Sequence, residues 1–222
     1  MGSQPPPRRD TPVLRRLAAV GIVPGGRPSS TPDRAVRQGL AEGIAAAKAE
    51  LRADFVRVSL ESARAHNGWF DPPPEVGAFG TDYVLRANAA IYGIGVNRPA
   101  EAVYLVGVLD ATGAPLAPGR AYAIRFAPGG LPPVEAWWSL TMYDDQGFLI
   151  DNPLGRFAIS DRSGAQSLVP TDRCSCLLGG APPPGSEGNW LPVPAAGMPQ
   201  PFLRAYSLRD QAWDPPPIVP LG

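Results

Sequence analysis

The residues of this chain best suited to chemistry sit in one stretch, "WWSLTMYDDQGFLIDNPLGRFAISDR", residues 137–162, with Glu135 just before it. Glu135, Asp144, Asp151 and Asp161 are its candidate catalytic carboxylates. Two of them held roughly 5 to 9.5 Å apart would serve as general acid and base in a glycan-type hydrolase or lyase. The competing reading is structural, because Asp and Asn in turns bond their own backbone two residues on. A calcium site from Asp144, Asp145 and Asp151 is disfavoured, since their spacing lacks an EF-hand-like loop.

Interleaved with these carboxylates are residues able to hold a ring. In an extended run, alternation puts Val134, Ala136, Trp138, Leu140 and Met142 on one side and Glu135, Trp137, Ser139, Thr141 and Tyr143 on the other. The first side is core. The second has two readings: it lies under an N-terminal helix, or it is an open face where aromatic surfaces and polar groups hold a small molecule or glycan. The candidate ligand-binding residues are Trp137, Ser139, Tyr143, Asn152, Arg156, Trp190 and Arg204, joined by Arg125 and Tyr206 if their strands lie alongside. Trp190, in "GNWLP", either anchors its proline-rich loop on the core or presents a sugar-stacking ring.

Other chemistries find fewer of the groups they need. His66 is the only histidine, which leaves zinc without ligands and a nucleophilic triad without a nearby base. Its position at a helix end suits contact with the final carbonyls. Cys174 and Cys176 are one residue apart, where a mutual disulfide would be strained, and read as small core residues. "GIGVNRP" has neither a phosphate-loop lysine nor a dinucleotide-binding context. No metal and no cofactor are expected.

Composition bounds the partners. Lys+Arg and Asp+Glu both number 20, so the formal net charge is zero and no global field draws nucleic acid or an anionic membrane. No run approaches the roughly 20 apolar residues that span a bilayer. "LRRLAAVGIV" (14–23) resembles an export signal, but Pro24 follows without a small-residue cleavage site. The opening "MGS" looks like an expression scar. The chain therefore reads as cytoplasmic as it stands, and as exported if a native signal was removed.

The elements that must position these residues follow from periodicity. Residues 1–12 are proline-rich and polar and are expected to be disordered; 13–80 form a helical arm and linker; 81–222 form the β domain. From Thr31, with Pro32 and Asp33 at its start, Val36, Leu40, Ile44, Ala47, Leu51, Phe55 and Val58 recur at helical spacing. This amphipathic helix ends near His66 to Gly68, and its stripe must dock on the β domain or a second protomer, which makes a homo-oligomer and an assembly role possible. A shorter helix is expected over 81–91. Beyond Pro99 the expected strands are 102–109, 121–126, 134–143, 148–150, 156–159, 166–169, 173–178 and 202–207. So many short strands with frequent turn signals indicate a mainly β (α+β) fold, an antiparallel jelly-roll-like sandwich with helices added.

The blocks "GTDYVLRANAAIYGIGVNRPAEAVYLVGVLDATGAPL", "PPVEAWWSLTMYDDQGFLIDNP", "GNWLPVP" and "WDPPPI" occur in an order that resembles the bacterial domain of unknown function 1214. That domain is often found C-terminal to the domain of unknown function 1254. The likeness runs from about Gly68 to the end, and "RLAAVGIVPG" resembles a segment upstream of the domain in longer members. The stretch "VPTDRCSCLLGGAPPP" departs from the family's more polar segment before "NWLP". The resemblance implies a jelly-roll-like β domain with helical additions and brings no established activity or catalytic set. From the residues, the expected function is binding of a carbohydrate or other small polar-aromatic ligand, with a carboxylate hydrolase or lyase as the alternative.

Overall fold

The computed structural model describes residues 6–23, 25–26, 33–93, 95–163 and 174–222. Three α-helices are present among them: α1 (Thr11–Ala19), α2 (Arg34–Ala65) and α3 (Tyr83–Tyr92). The strands are β1 (Trp69–Phe70), β2 (Ala102–Gly107), β3 (Tyr122–Phe126), β4 (Val134–Tyr143), β5 (Ala158–Ser160), β6 (Cys174–Gly179), β7 (Trp190–Pro192), β8 (Gln200–Leu208) and β9 (Ile218–Pro220). The fold is mixed α+β with two sheets in which antiparallel pairing dominates. The chain forms two compact units, Met1–Phe55 with Phe79–Tyr92, and Val56–Ala78 with Gly93–Gly222. All nine strands among the described residues lie in the second.

The first unit is helical. Asp33 caps α2 as its residue type suggests, its Oδ1 accepting the N–H groups of Ala35 (2.8 Å) and Val36 (3.3 Å). The expected start at Thr31 and Pro32 lies outside the described residues. A 3₁₀ turn over Arg8–Asp10 leads into α1. Asp10 is buried and accepts the Tyr83 hydroxyl at 3.0 Å, tying this turn to α3. Phe55 of α2 stacks on Tyr92 of α3 at 3.9 Å.

In the second unit, the order β1-β2-β8-β4-β5 makes one sheet and β7-β6-β3-β9 the other. Every pairing is antiparallel except β6 with β7, which run parallel. One parallel pair among seven leaves the sheets predominantly antiparallel, as expected. Both sheets contribute to one buried cluster, with Leu105, Trp138, Leu140, Met142 and Leu203 from the first and Tyr122, Ile124, Phe126, Leu178 and Ile218 from the second. Trp138 and Phe126 face each other at 5.9 Å. Cys176 is buried in the same cluster.

The strands that escaped periodicity are all short and all lie at sheet edges: β1, β7 and β9. Pro192 and Pro220 disguise two of them, since proline is tolerated only where a ladder N–H is not required. The expected strand at 148–150 is a single bridge, Tyr143 to Leu149, and the one at 166–169 lies outside the described residues. Gly68 makes the turn from α2 into β1. Its φ is +91°, and a Cβ there would stand 2.2 Å from the Leu109 carbonyl oxygen, so a side chain is excluded twice over. His66 does not spend its ring on helix carbonyls as expected; its Nδ1 lies 3.2 Å from Asp214 Oδ1 in the C-terminal tail.

Candidate functional site

The middle of the five-stranded sheet carries the aromatic face. β8 is paired on both sides, so its registry aligns residues from three strands. Tyr206 lies opposite Ala102 and Trp137; Arg204 lies opposite Tyr104 and Ser139; Phe202 lies opposite Val106 and Thr141. Directly opposite residues have Cβ atoms roughly 5 Å apart, so these rows form a continuous surface. Alternation holds from Trp137 onward: Trp138, Leu140 and Met142 are 0–2% exposed, and Trp137 and Tyr143 are only partly covered. It fails earlier, where a register shift between Val134 and Trp137 leaves Ala136 exposed instead of in the core.

The side chains on this face form two groups. In one, Trp137 stacks on Tyr206 at 4.4 Å, Tyr104 meets Tyr206 edge-on at 6.2 Å, and the Arg162 guanidinium lies 5.9 Å from the Trp137 ring. In the other, Tyr143 and Phe202 are edge-on at 5.4 Å, and the Arg204 guanidinium lies 5.4 Å from the first ring and 5.1 Å from the second. Arg204 also donates to the Tyr143 hydroxyl at 3.2 Å. Ser139 and Thr141, both buried, fill the floor between taller neighbours. Burial pushes the Tyr206 hydroxyl pKa up, its hydrogen bond with Tyr104 adds to this, and Arg204 pulls the other way. Tyr104, Tyr206 and Phe202 are members that sequence alone left unassigned or conditional. Only the β8 pairing brings them in.

Not every expected ligand residue joins. Trp190 is 1% exposed, so its ring is not free to stack on a ligand, and it anchors β7 on the core. Asn152 organises its own loop: its Oδ1 accepts the N–H groups of Leu154 and Arg156, and its Nδ2 donates to the Ile150 and Arg156 carbonyls. Arg156 follows that loop, with a buried Nε that has no partner among the described residues. Arg125 stands exposed on β3 of the other sheet, away from this face.

The carboxylates are dispersed. Glu135 is exposed and lies 3.8 Å from Arg209. Asp144 accepts the N–H groups of Gln146 (2.9 Å) and Phe148 (2.8 Å), the turn-capping geometry. Asp144, Asp145 and Asp151 line an open groove of about 500 Å³ together with Leu149, Ile150 and Pro194 to Gly197. Asp161 follows β5 at the opposite end. Since Ser160 is opposite Ser139, Asp161 lies about 20 Å from Asp144 at roughly 3.4 Å per residue, and Glu135 about 30 Å from it. Neither can pair with Asp144 at the separation glycoside hydrolysis needs. A second cavity, about 20 Å³, is lined by Asp71, Val76, Val96, Asn97 and Tyr104 among others, at the β2 edge of the face. Residues 135–143 line neither cavity, and Tyr104 joins the face to the smaller one, so the aromatic face is a platform with a small recess at its edge. Among the described residues no group of three or more His, Cys, Asp or Glu side chains is disposed to hold a metal ion. No helix among them is long and apolar enough to cross a membrane.

Comparisons with known proteins take in strands of both sheets. Residues 101–209 match the family model described as "Protein of unknown function (DUF1214)". The match covers just under half of the chain. It takes in β2 to β8, so the DUF1214 match contains Tyr104, Trp137, Tyr143, Arg204 and Tyr206. The VPA0106 protein from Vibrio parahaemolyticus is similar in structure, with 21% identity and a TM-score of 0.56 over 96% of this chain. An uncharacterised protein from Burkholderia cenocepacia aligns at 17% identity and a TM-score of 0.38 over 95% of this chain. The chain spans about half of each of those proteins, 51% and 48%. The first likeness speaks to the fold alone. No curated protein matches the chain.

Proposed function

We propose that this protein is a binding module whose DUF1214 sheet holds a carbohydrate or another small polar-aromatic ligand on its outer face. The two sheets that share one core are read as a jelly-roll-like sandwich, with the platform on its five-stranded side. The observation that carries the reading is the run of partly covered aromatic rings, Tyr104, Tyr206, Trp137, Tyr143 and Phe202, with the guanidinium groups of Arg204 and Arg162 over them. Rings of this kind offer apolar faces to a sugar or aromatic ring and leave hydroxyls at the rim to orient it. Glycan-array and thermal-shift screening test it. Binding that is lost in folded Trp137→Ala and Tyr206→Ala supports it; silence across broad panels removes it.

A second reading, hydrolase or lyase chemistry, is supported by Asp145 and Asp151 lining the same open groove. Glycan turnover abolished in Asp151→Asn would favour it over simple binding. An assembly role is supported by the solvent-exposed Ile44 on the α2 stripe, 58% exposed. Sedimentation at rising concentration, with and without Ile44→Glu, tests it.

A further inference from the structure

We propose that the ligand of the aromatic platform is anionic, a ring bearing a carboxylate, and that Arg204 is the residue that selects it. The proposal rests on the ring-binding reading above and adds the class of ligand. Its starting point is the charge balance of the platform. Arg204 and Arg162 both stand over its rings, and neither has an ion pair with a carboxylate among the described residues. Elsewhere in the same unit arginines do have such partners: Arg57 with Glu61 at 2.8 Å, Arg209 with Glu135 at 3.8 Å, Arg120 with Asp110 at 4.0 Å. The candidate carboxylates Asp144, Asp145 and Asp151 line a separate groove, and Glu135 is already beside Arg209.

The setting of Arg204 is specific to its chemistry. Its side chain sits at the central register position of the face, between Tyr104 on β2 and Ser139 on β4. Its guanidinium is near both the Tyr143 and Phe202 rings, which hold the flat group in place, and one N–H donates to the Tyr143 hydroxyl. A guanidinium has five N–H donors in a rigid fork, and the described residues engage one of them. A carboxylate matches that fork with two parallel hydrogen bonds, whereas a neutral hydroxyl accepts only one. The Tyr143 oxygen, already accepting from Arg204, keeps its own O–H to donate to the same anion. Trp137 and Tyr206 lie two residues further along their strands, at the distance where the ring attached to such a carboxylate would rest. Arg162, lying over Trp137 with an N–H 3.4 Å from the Ala136 carbonyl, is a second and more exposed cation at that edge.

Two sources share this chemistry, sugar acids and aromatic acids, and paired probes separate them. The test is titration calorimetry of the full chain with galacturonate against methyl galactoside, and with 4-hydroxybenzoate against 4-hydroxybenzyl alcohol. At least one acid is expected to bind tenfold or more tightly than its neutral partner, and the pair that shows the preference names the source. Arg204→Gln should bring the acid down to the affinity of the neutral ring. Arg204→Lys should recover part of the preference, because it restores the charge without the fork. Arg125→Gln, on the other sheet, should change nothing and controls for net charge, while melting curves confirm that each variant is folded. Equal affinity for acid and neutral probes, or an acid preference that survives Arg204→Gln, would overturn the anionic class and leave ring binding standing. No binding by any probe, glycan panels included, would overturn both together.

Discussion

Asp110 illustrates how far a single buried carboxylate can matter without being catalytic. Its side chain is wholly buried at the turn after β2, where it accepts the Thr112 hydroxyl and the N–H groups of Thr112 and Ala114. Burial alone would raise its pKa; those hydrogen bonds and Arg120 more than offset this and hold it below the ordinary 3.8. A depressed carboxylate contributes stability that is complete above its unfolded pKa and lost as pH falls through the folded one. Asp110→Ala is therefore expected to cost about 2 kcal/mol at pH 7 by urea denaturation. Asp110→Asn should shed the acid-dependent part, giving a shallower loss of stability below about pH 4 in circular dichroism. Asp71 has the opposite sign. Burial raises it, His66 opposes this, and Asp214 adds to it, so folding weakens as pH rises through its raised value. Asp71→Asn is expected to shift the urea midpoint upward at pH 7, with the gain disappearing at pH 3.

Strand β4 is the element on which the functional reading turns, because its two faces predict different phenotypes. Trp138 is 2% exposed in the core shared by both sheets, and Trp138→Ala should cost about 3–5 kcal/mol. Trp137 is only partly covered and stacks on Tyr206, so Trp137→Ala should cost about 1 kcal/mol, the scale of an aromatic pair. Thermal melts of the two variants side by side check this contrast; equal losses would mean that the outer indole is packing and nothing more. The alternation that separates these faces was legible in the residues from Trp137 onward. The bulge that exposes Ala136 was not, since an extra residue in a strand leaves no mark on hydrophobic periodicity. Trp190 was ambiguous for a related reason: an indole in a proline-rich loop reads the same whether the loop folds inward or outward. Only its place on β7, beside β6, decides for burial.

At the scale of the whole molecule, the C-terminal tail closes the β unit. Asn67 and Trp69 donate to the carbonyls of Pro215 and Pro216, and the Ala111 N–H to that of Ile218. β9 then adds to β3 with Ile218 fully buried. Removing residues 214–222 should therefore cost more than about 4 kcal/mol, since it strips a buried aliphatic anchor and three tethers at once. Loss of a cooperative melt in the truncated chain would bear this out; a melt within a few degrees of the full chain would refute it. Residue types and their spacing sufficed to determine the helical segment ahead of the strands, most of the strands themselves, the buried set Trp138, Leu140 and Met142, and the family likeness. These depend on local periodicity, which a linear chain displays directly. Tertiary structure alone decided that β8 runs between β2 and β4, which gathers Tyr104, Arg204, Tyr206 and Trp137 on one face and sends Arg125 to the other sheet. It also decided that Asp144 and Asp151 share one groove while Glu135 and Asp161 lie away from it. Strand order and register are set by which surfaces bury best against one another across long sequence separations, and no local pattern carries that information.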